Sequence, residues 1–460
     1  MEGRASRSGR HHRATVEFKP LLFSTLVLLT APVPGATDAV LPQAPIASAQ
    51  AWRDAAVASF DVAWQTIDET YYDPTFGGLD WAGIRRELRP SVERAASPDA
   101  ARDVLRQMLG RLGQSHFAVL PGAASRDARP GDAAVPIDVR VDASQAIVIT
   151  RVEPDSSASR AGVRAGDRLL AVDDERADQW VARAKDVSAR LRGLEIWRQA
   201  FRALHGVSRS SARLEIQSPD GAARAVDVAR AAPPGQPVTL GNLPPLPVRT
   251  DIRAARTPGG KDVGVIAFNL WMALINVPIA DGVDRFRDAP GLVFDLRGNT
   301  GGLADMMRGI AGHVLNEPVV LGRMQTRPAA LEFKANPRRS RPDGRTVEPY
   351  AGPVAILVDE LTGSTSECFT GALQDLGRAR VFGRQTMGQA LPAVTKSLPN
   401  GDTLMYVLGD FVTSSGRRLE GAGVLPDQVV PLDVRALAAG RDPVLDAALQ
   451  WIDRQPGGSR

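Results

Sequence analysis

The sequence predicts a multidomain α/β (α+β) protein, on three observations. The N-terminal stretch repeats apolar residues at helical spacing. A β-rich stretch with glycine turns follows. Beyond it, apolar runs alternate with helical patterns, as in a core with a parallel or mixed sheet. At about 150 residues per domain, 460 residues exceed a single ordinary domain. Hydrophobic residues at 43 % and charged residues at 23 % supply the apolar material of a globular core.

The elements follow in chain order. Arg4, Arg7, Arg10, Arg13 and Lys19 precede an apolar run from Leu21 to Leu29, and small residues come next. That pattern is a signal peptide, because the run is too short to cross a bilayer; an uncleaved signal anchor is the alternative. Residues 1–49 are therefore expected to be signal peptide and Ala/Pro-rich lead-in, and the chain to be exported, periplasmic or secreted, with no membrane span in its mature part.

Residues 50–125 predict a helical domain. Phe60, Ala63, Trp64, Ile67 and Tyr71 share one helix face, a second helix starts at Asp80, and a third has Ser97 as N-cap with Pro98 in its first turn. Gly113 is placed to end that third helix. Residues 134–232 predict a β-rich module: a strand from Ala146, a short helix with a turn at Gly166, a helical insertion over about 178–206, and a hairpin at Asp220-Gly221. Residues 240–435 predict the α/β core, with strands at Val263–Phe268, Leu292–Leu296, Val354–Val358 and Arg380–Phe382. A C-terminal helix and tail fill 436–460.

Composition excludes several functions. The net charge of +4 is spread along the chain, and the densest basic cluster, Arg338, Arg339, Arg341 and Arg345, is broken by Pro and Gly; it reads as solvated loop, so no nucleic-acid partner is expected. The lone Cys368 supports neither a disulfide framework nor a cysteine metal site, and reads as a small buried hydrophobe. His116, His205 and His313 are dispersed and no His-Glu-x-x-His occurs, so no metal and no cofactor is expected.

Four segments carry the candidate chemistry. Ser364-Thr-Ser-Glu367 stands at a strand-to-helix transition, where helix N–H groups can stabilise an oxyanion; by local pattern alone Ser364 or Ser366 is a helix N-cap. Asp295-Leu-Arg-Gly-Asn-Thr-Gly301-Gly302 ends a strand in a glycine turn that lets backbone approach a substrate closely. His116 follows the third helix, where a loop could present it at a domain interface, whereas His205 falls in the β-rich module and His313 in a helix spanning Ala304 to Leu315. Glu420 lies in a glycine-rich loop and could orient a histidine.

Taken together and in this order, the segments resemble the C-terminal processing (tail-specific) peptidase family, which shares its core with the tricorn peptidases. Asp295 to Gly302 is similar to that family's Asp-Leu-Arg-x-Asn-x-Gly-Gly signature. Ser364 to Gly388 resembles its nucleophile block, Gly423 to Asp427 its closing Gly-Val-x-Pro-Asp, and Ala161 to Asp167 its PDZ domain. The resemblance spans about 50–435. It implies a ClpP/crotonase-like catalytic core with an N-terminal helical segment and an inserted PDZ-like domain, acting on protein or peptide substrates.

Two departures matter. The better-known branch uses a Ser–Lys dyad, but Gln389 stands at the lysine position and Ala393 at that of its supporting glutamine; Lys396, the nearest lysine, reads as solvent-facing. The resemblance to the tricorn-like branch instead implies Ser364 as nucleophile, His116 as base and Glu420 behind it, with backbone N–H of Thr365 and of Gly301 or Gly302 as the oxyanion hole. The PDZ-like module, for its part, has Val135-Pro-Ile-Asp-Val139 where such modules carry a glycine-rich carboxylate loop; internal-segment binding, gating and a structural role stay open. An endopeptidase of the cell envelope is the expected function. A catalytically inactive binding protein on the same fold is the alternative, as is a dyad with a non-standard lysine. A lipase is disfavoured because Gly-x-Ser-x-Gly is absent around Ser364.

Overall fold

Apolar runs become the central strands of a six-stranded sheet in the computed structural model, which describes residues 49–122, 131–239, 245–341 and 343–455. The expected signal peptide and lead-in lie outside the described residues. The strand order is Thr250–Arg256, Asp262–Phe268, Leu292–Asp295, Val354–Val358, Arg380–Gly383 and Gln428–Val429; the first pair is antiparallel and the rest are parallel. Side chains alternate across a strand, and both faces of the central strands are covered, which is why those runs are mostly apolar. Leu292, Phe294, Val354, Ile356 and Val381 pack one face with Ile279, Ile310, Phe369 and Leu373 of the crossover helices. Val293, Ala355, Leu357 and Phe382 pack the other with Leu445, Leu449 and Ile452 of the helix Pro443–Asp453. The C-terminal helix expected within 436–460 is thus one layer of the core.

The helical layer is Ala49–Thr70, Trp81–Glu93 and Pro98–Gly110. Ser97 accepts a bond from Ala100 N at 3.1 Å, an N-cap worth about 1 kcal/mol. Phe60, Ala63, Ile67 and Tyr71 are buried as their spacing requires. The third helix closes at Gly110, and Gly113 turns the loop beyond it at φ +64°. The core completes this layer: the hairpin Ala393–Ser397 and Thr403–Val407 enters it, and Thr403–Val407 pairs antiparallel with Ala118–Leu120, in register Ala118↔Met405. Leu398 and Leu404 join its hydrophobic cluster. Lys396 is exposed on this hairpin, and its Nζ donates to Thr66 Oγ1 at 2.9 Å.

The β-rich module orders its strands Ile137–Val141, Ile147–Val152, Arg168–Val172, Ser211–Gln217 and Ala223–Ala229, with helices Ala177–Arg183 and Ala189–Leu204 as the insertion. A further antiparallel sheet joins Ala330–Ala335, Val319–Thr326 and Gly409–Thr413. The helix Met306–Ala311 is shorter than predicted, and Gly312 follows it closely, so His313 sits beyond its end. His313 is buried, against the Arg338 guanidinium at 3.2 Å, and burial with that neighbouring charge pushes its pKa down to about 4.

Candidate active site

Ser364 and the Gly301-Gly302 turn lie beyond the carboxyl ends of adjacent parallel strands, Val354–Val358 and Leu292–Asp295, the usual place for ligands in such sheets. Ser364 has φ 52° and ψ −121°, a conformation rare for a residue with a side chain. Its N–H donates to Gln389 O at 2.8 Å and to Glu367 Oε2 at 3.1 Å. The helix Thr365–Asp375 is anchored at its start, because Thr365 Oγ1 donates to Gly302 O at 2.9 Å and the buried Trp271 Nε1 donates to Ser366 Oγ at 2.7 Å.

The glycine turn passes directly against the serine. A Cβ on Gly301 would stand 2.6 Å from Ser364 Cβ, and one on Gly302 would stand 2.4 Å from Trp271 O, so neither position admits a side chain. Of the three N–H groups expected to form an oxyanion hole, that of Gly301 is engaged, donating to Asn299 Oδ1 at 3.0 Å. The buried Asn299 holds the turn, since its Nδ2 donates to Phe268 O at 2.9 Å. The N–H groups of Gly302 and Thr365 make no hydrogen bond among the described residues.

His116 is carried by the loop between Pro98–Gly110 and Ala118–Leu120, also at positive φ, 61°. The pairing of Ala118–Leu120 with Thr403–Val407 fixes this loop to the core. Glu420, expected to stand behind His116, reaches it through another side chain. Ser115 stands between them: its Oγ lies 2.7 Å from His116 Nδ1 and donates to Glu420 Oε2 at 2.9 Å. Ser115 N–H also donates to Glu420 Oε1 at 3.0 Å. With the Ser115 proton pointed at the carboxylate, its lone pairs face Nδ1; the imidazole then carries its proton on Nδ1 and leaves Nε2 free. Burial holds the His116 pKa below its ordinary value, against the opposing pull of Glu420.

Both ends of the site meet at one segment. Ala390 N donates to Glu420 Oε2 at 2.9 Å, while Gln389 O receives the Ser364 N–H. The group that locks this segment in place is Glu367, to which the motif reading gave no role. Its Oε1 accepts from Thr386 Oγ1 and from Gly388 N at 2.6 Å, and its Oε2 accepts from Gln389 N at 2.9 Å and Ser364 N. The visible signal was the capping-box spacing Ser-x-x-Glu. Ser115 had no signal beyond adjacency to His116.

Burial pushes the Glu367 carboxyl up to about 7, its four hydrogen bonds pulling the other way. A raised acid contributes stability that is fully present below its unfolded pKa, about 4.3, and lost as pH rises through the folded value. Glu367→Gln is therefore expected to show a smaller fall in Tm than the parent between pH 5 and pH 7.5. Either amide orientation sets an NH2 against N–H donors, so the variant should also lose roughly tenfold or more in kcat. Paired melting curves and steady-state kinetics check both.

Two arginines of the β-rich module touch the loops flanking the serine. Arg140 Nε donates to Asp359 Oδ2 at 2.6 Å, and Asp359 Oδ1 accepts from Gly298 N at 2.9 Å. Burial alone would raise the Asp359 pKa, but Arg140 and Arg384 hold it below the usual carboxylate range. Arg190 Nη1 donates to Met387 O at 3.0 Å.

Fold and residues together define a serine-type peptidase. Family models match the chain in three stretches: peptidase family S41 over residues 262–430, the tricorn protease C1 domain over 57–110, and a PDZ domain over 148–195. Proteins named carboxyl-terminal-processing protease and C-terminal processing peptidase are among those the chain is similar to. It is 26 % identical over 382 residues to a carboxyl-terminal-processing protease of Picosynechococcus sp., covering 80 % of this chain and 82 % of that one. It is 27 % identical over 425 residues to putative tricorn protease homolog 2 of Streptomyces coelicolor, covering 87 % of this chain and 32 % of that one. In fold it is similar to mature CPAF, with TM-score 0.62 at 16 % identity, over 88 % of this chain and 98 % of that one. It is similar also to a photosystem II D1 C-terminal processing protease, with TM-score 0.54 at 21 % identity, over 85 % and 99 %.

Proposed function

We propose that this chain is an endopeptidase that cleaves exposed or C-terminal segments of cell-envelope proteins, with Ser364 as nucleophile, His116 as general base and Glu420 acting on His116 through Ser115. The observation that carries the reading is the hydrogen-bonded run from Glu420 through Ser115 to His116 Nδ1, which meets the backbone of Ser364 at Gln389-Ala390. Ser364 Oγ attacks the scissile carbonyl, and Nε2 of His116 takes its proton and returns it to the leaving amine. The positive charge on the imidazolium is offset by Glu420 through the Ser115 hydroxyl. Gly302 N–H and Thr365 N–H receive the oxyanion. Among the described residues no helix is long and apolar enough to cross a membrane. The export reading rests on the basic-then-apolar pattern of residues 4–29.

A fluorophosphonate tests catalysis against the inactive-binder alternative: covalent labelling at Ser364, lost in Ser364→Ala, is expected. A chain that stays unlabelled is a binding protein. Ser115→Ala isolates the relay. It should lower kcat by roughly 10–100-fold, the worth of hydrogen bonds to a charged group, with KM little changed. Removing the link to Glu420 also destabilises the imidazolium, so the acid limb of kcat/KM should move to lower pH. A purely structural role for Ser115 would leave that limb in place.

A further inference from the structure

Modules of the PDZ type hold an extended peptide beside an edge strand and seat its terminal carboxylate on successive N–H groups of the loop ahead of that strand. Here the edge strand is Ile137–Val141, the first in its sheet. The helix Ala189–Leu204 runs beside it: a Cβ on Gly193 would lie 3.9 Å from Val141 Cβ. The loop ahead is Ala134-Val135-Pro136-Ile137, and it has no donor to offer. Ala134 N donates to Ala231 O at 2.8 Å, Val135 N to Leu204 O at 3.0 Å, and Ile137 N to Val135 O at 2.8 Å. Pro136 has no N–H.

The surroundings also disfavour an anion. Leu204 is the last residue of its helix, so the loop faces the negative end of the helix dipole. The Arg230 guanidinium at the helix end is spent: Nε bonds Leu204 O at 3.2 Å, Nη1 bonds Ser211 O at 2.8 Å, and Nη2 bonds Ala203 O at 3.1 Å and Asp173 Oδ2 at 3.0 Å. What the helix does present is aromatic. Trp197, Phe201 and His205 follow at four-residue spacing, with ring centroids 4.9 and 3.9 Å apart, and Phe201 is 38 % exposed. The His205 ring is tied to Phe201 O at 2.6 Å, and burial keeps its pKa low, so the row is uncharged. Val207, just beyond the helix, is 68 % exposed.

We infer that this module selects internal apolar stretches of extended polypeptide, laid along Trp197 and Phe201, and does not read a free C-terminus. The inference rests on the peptidase reading for its purpose, since it makes unfolded segments the substrate class, but binding itself needs no catalysis. The test therefore uses the full chain carrying Ser364→Ala and fluorescence anisotropy. The probe is an N-terminally fluorescein-labelled peptide of about 20 residues with a Leu/Phe/Val-rich centre, made once with a free α-carboxylate and once as the amide. Both forms should bind with Kd equal within about twofold, and adding Phe201→Ala, or Trp197→Ala with Phe201→Ala, should weaken both by about tenfold. Phe201 is exposed, so its single variant stays readable if Trp197→Ala disturbs the module. A roughly tenfold loss on amidation, binding indifferent to Phe201→Ala, or no binding of either form overturns the inference. Hydrolysis of the same peptides by the unsubstituted chain reports separately on the peptidase reading.

Discussion

Ser364→Ala is expected to lower the turnover of an unfolded protein substrate by about 10⁴-fold or more, with Tm nearly unchanged. The loss is large because the hydroxyl is the group that would form the acyl bond, and no neighbouring side chain stands in its place. Structure should persist because the turn is held by other atoms. The Ser364 N–H keeps Gln389 O and Glu367 Oε2, Thr365 keeps Gly302 O, and Trp271 keeps Ser366, and none of these bonds uses the Ser364 side chain. The backbone strain at φ 52° is the same for alanine as for serine. Activity retained in this variant would remove Ser364 from the mechanism, and loss of the melting transition would show that the hydroxyl has a structural role.

His116→Ala is expected to cost about 10³–10⁵-fold in kcat, because a serine hydroxyl without a base is a weak nucleophile at neutral pH. Lys396→Ala is the matched control and should keep parental activity. The Lys396 Nζ bonds Thr66 Oγ1 in the helical layer, so its removal costs one part-buried hydrogen bond. A Lys396 variant as inactive as Ser364→Ala would restore a lysine base. The pH profile gives an independent check. Burial holds His116 below its ordinary pKa of 6.5, so the imidazole is neutral at pH 7 and kcat/KM should rise with pH along a limb centred below 6.5. An acid limb centred above 6.5 would mean that Glu420 outweighs burial.

How much of this was legible depends on how far apart the interacting groups lie in the chain. Local signals read true. Ser97 caps its helix, the Val354–Val358 run is a buried strand, and the Asp220-Gly221 turn joins the hairpin strands Ser211–Gln217 and Ala223–Ala229. Each depends on residues only a few positions apart, where periodicity and turn chemistry act directly. The helix through His313 was overextended, because apolar spacing continues past Gly312 while the backbone turns away.

The sequence by itself determined the strand-and-helix alternation of the core and the helical segment before it, and its resemblance to a family singled out Ser364, His116, Glu420, Gly301, Gly302 and Thr365 as candidates. Only the tertiary structure decided how they connect. Ser115 and Glu420 are 305 positions apart, and their contact depends on the register Ala118↔Met405 between the helical layer and the core. That register inserts the Ser115 hydroxyl between acid and imidazole, a link no motif specified. The loss of Gly301 as a free donor has the same origin, since Asn299 turns its side-chain oxygen back onto that N–H once the loop closes. The four-donor clamp at Glu367 likewise forms only when the Thr386–Gln389 segment folds over the serine. Periodicity reports which face of an element is buried; it carries no information about which donor meets which acceptor across elements, and that is where this site is made.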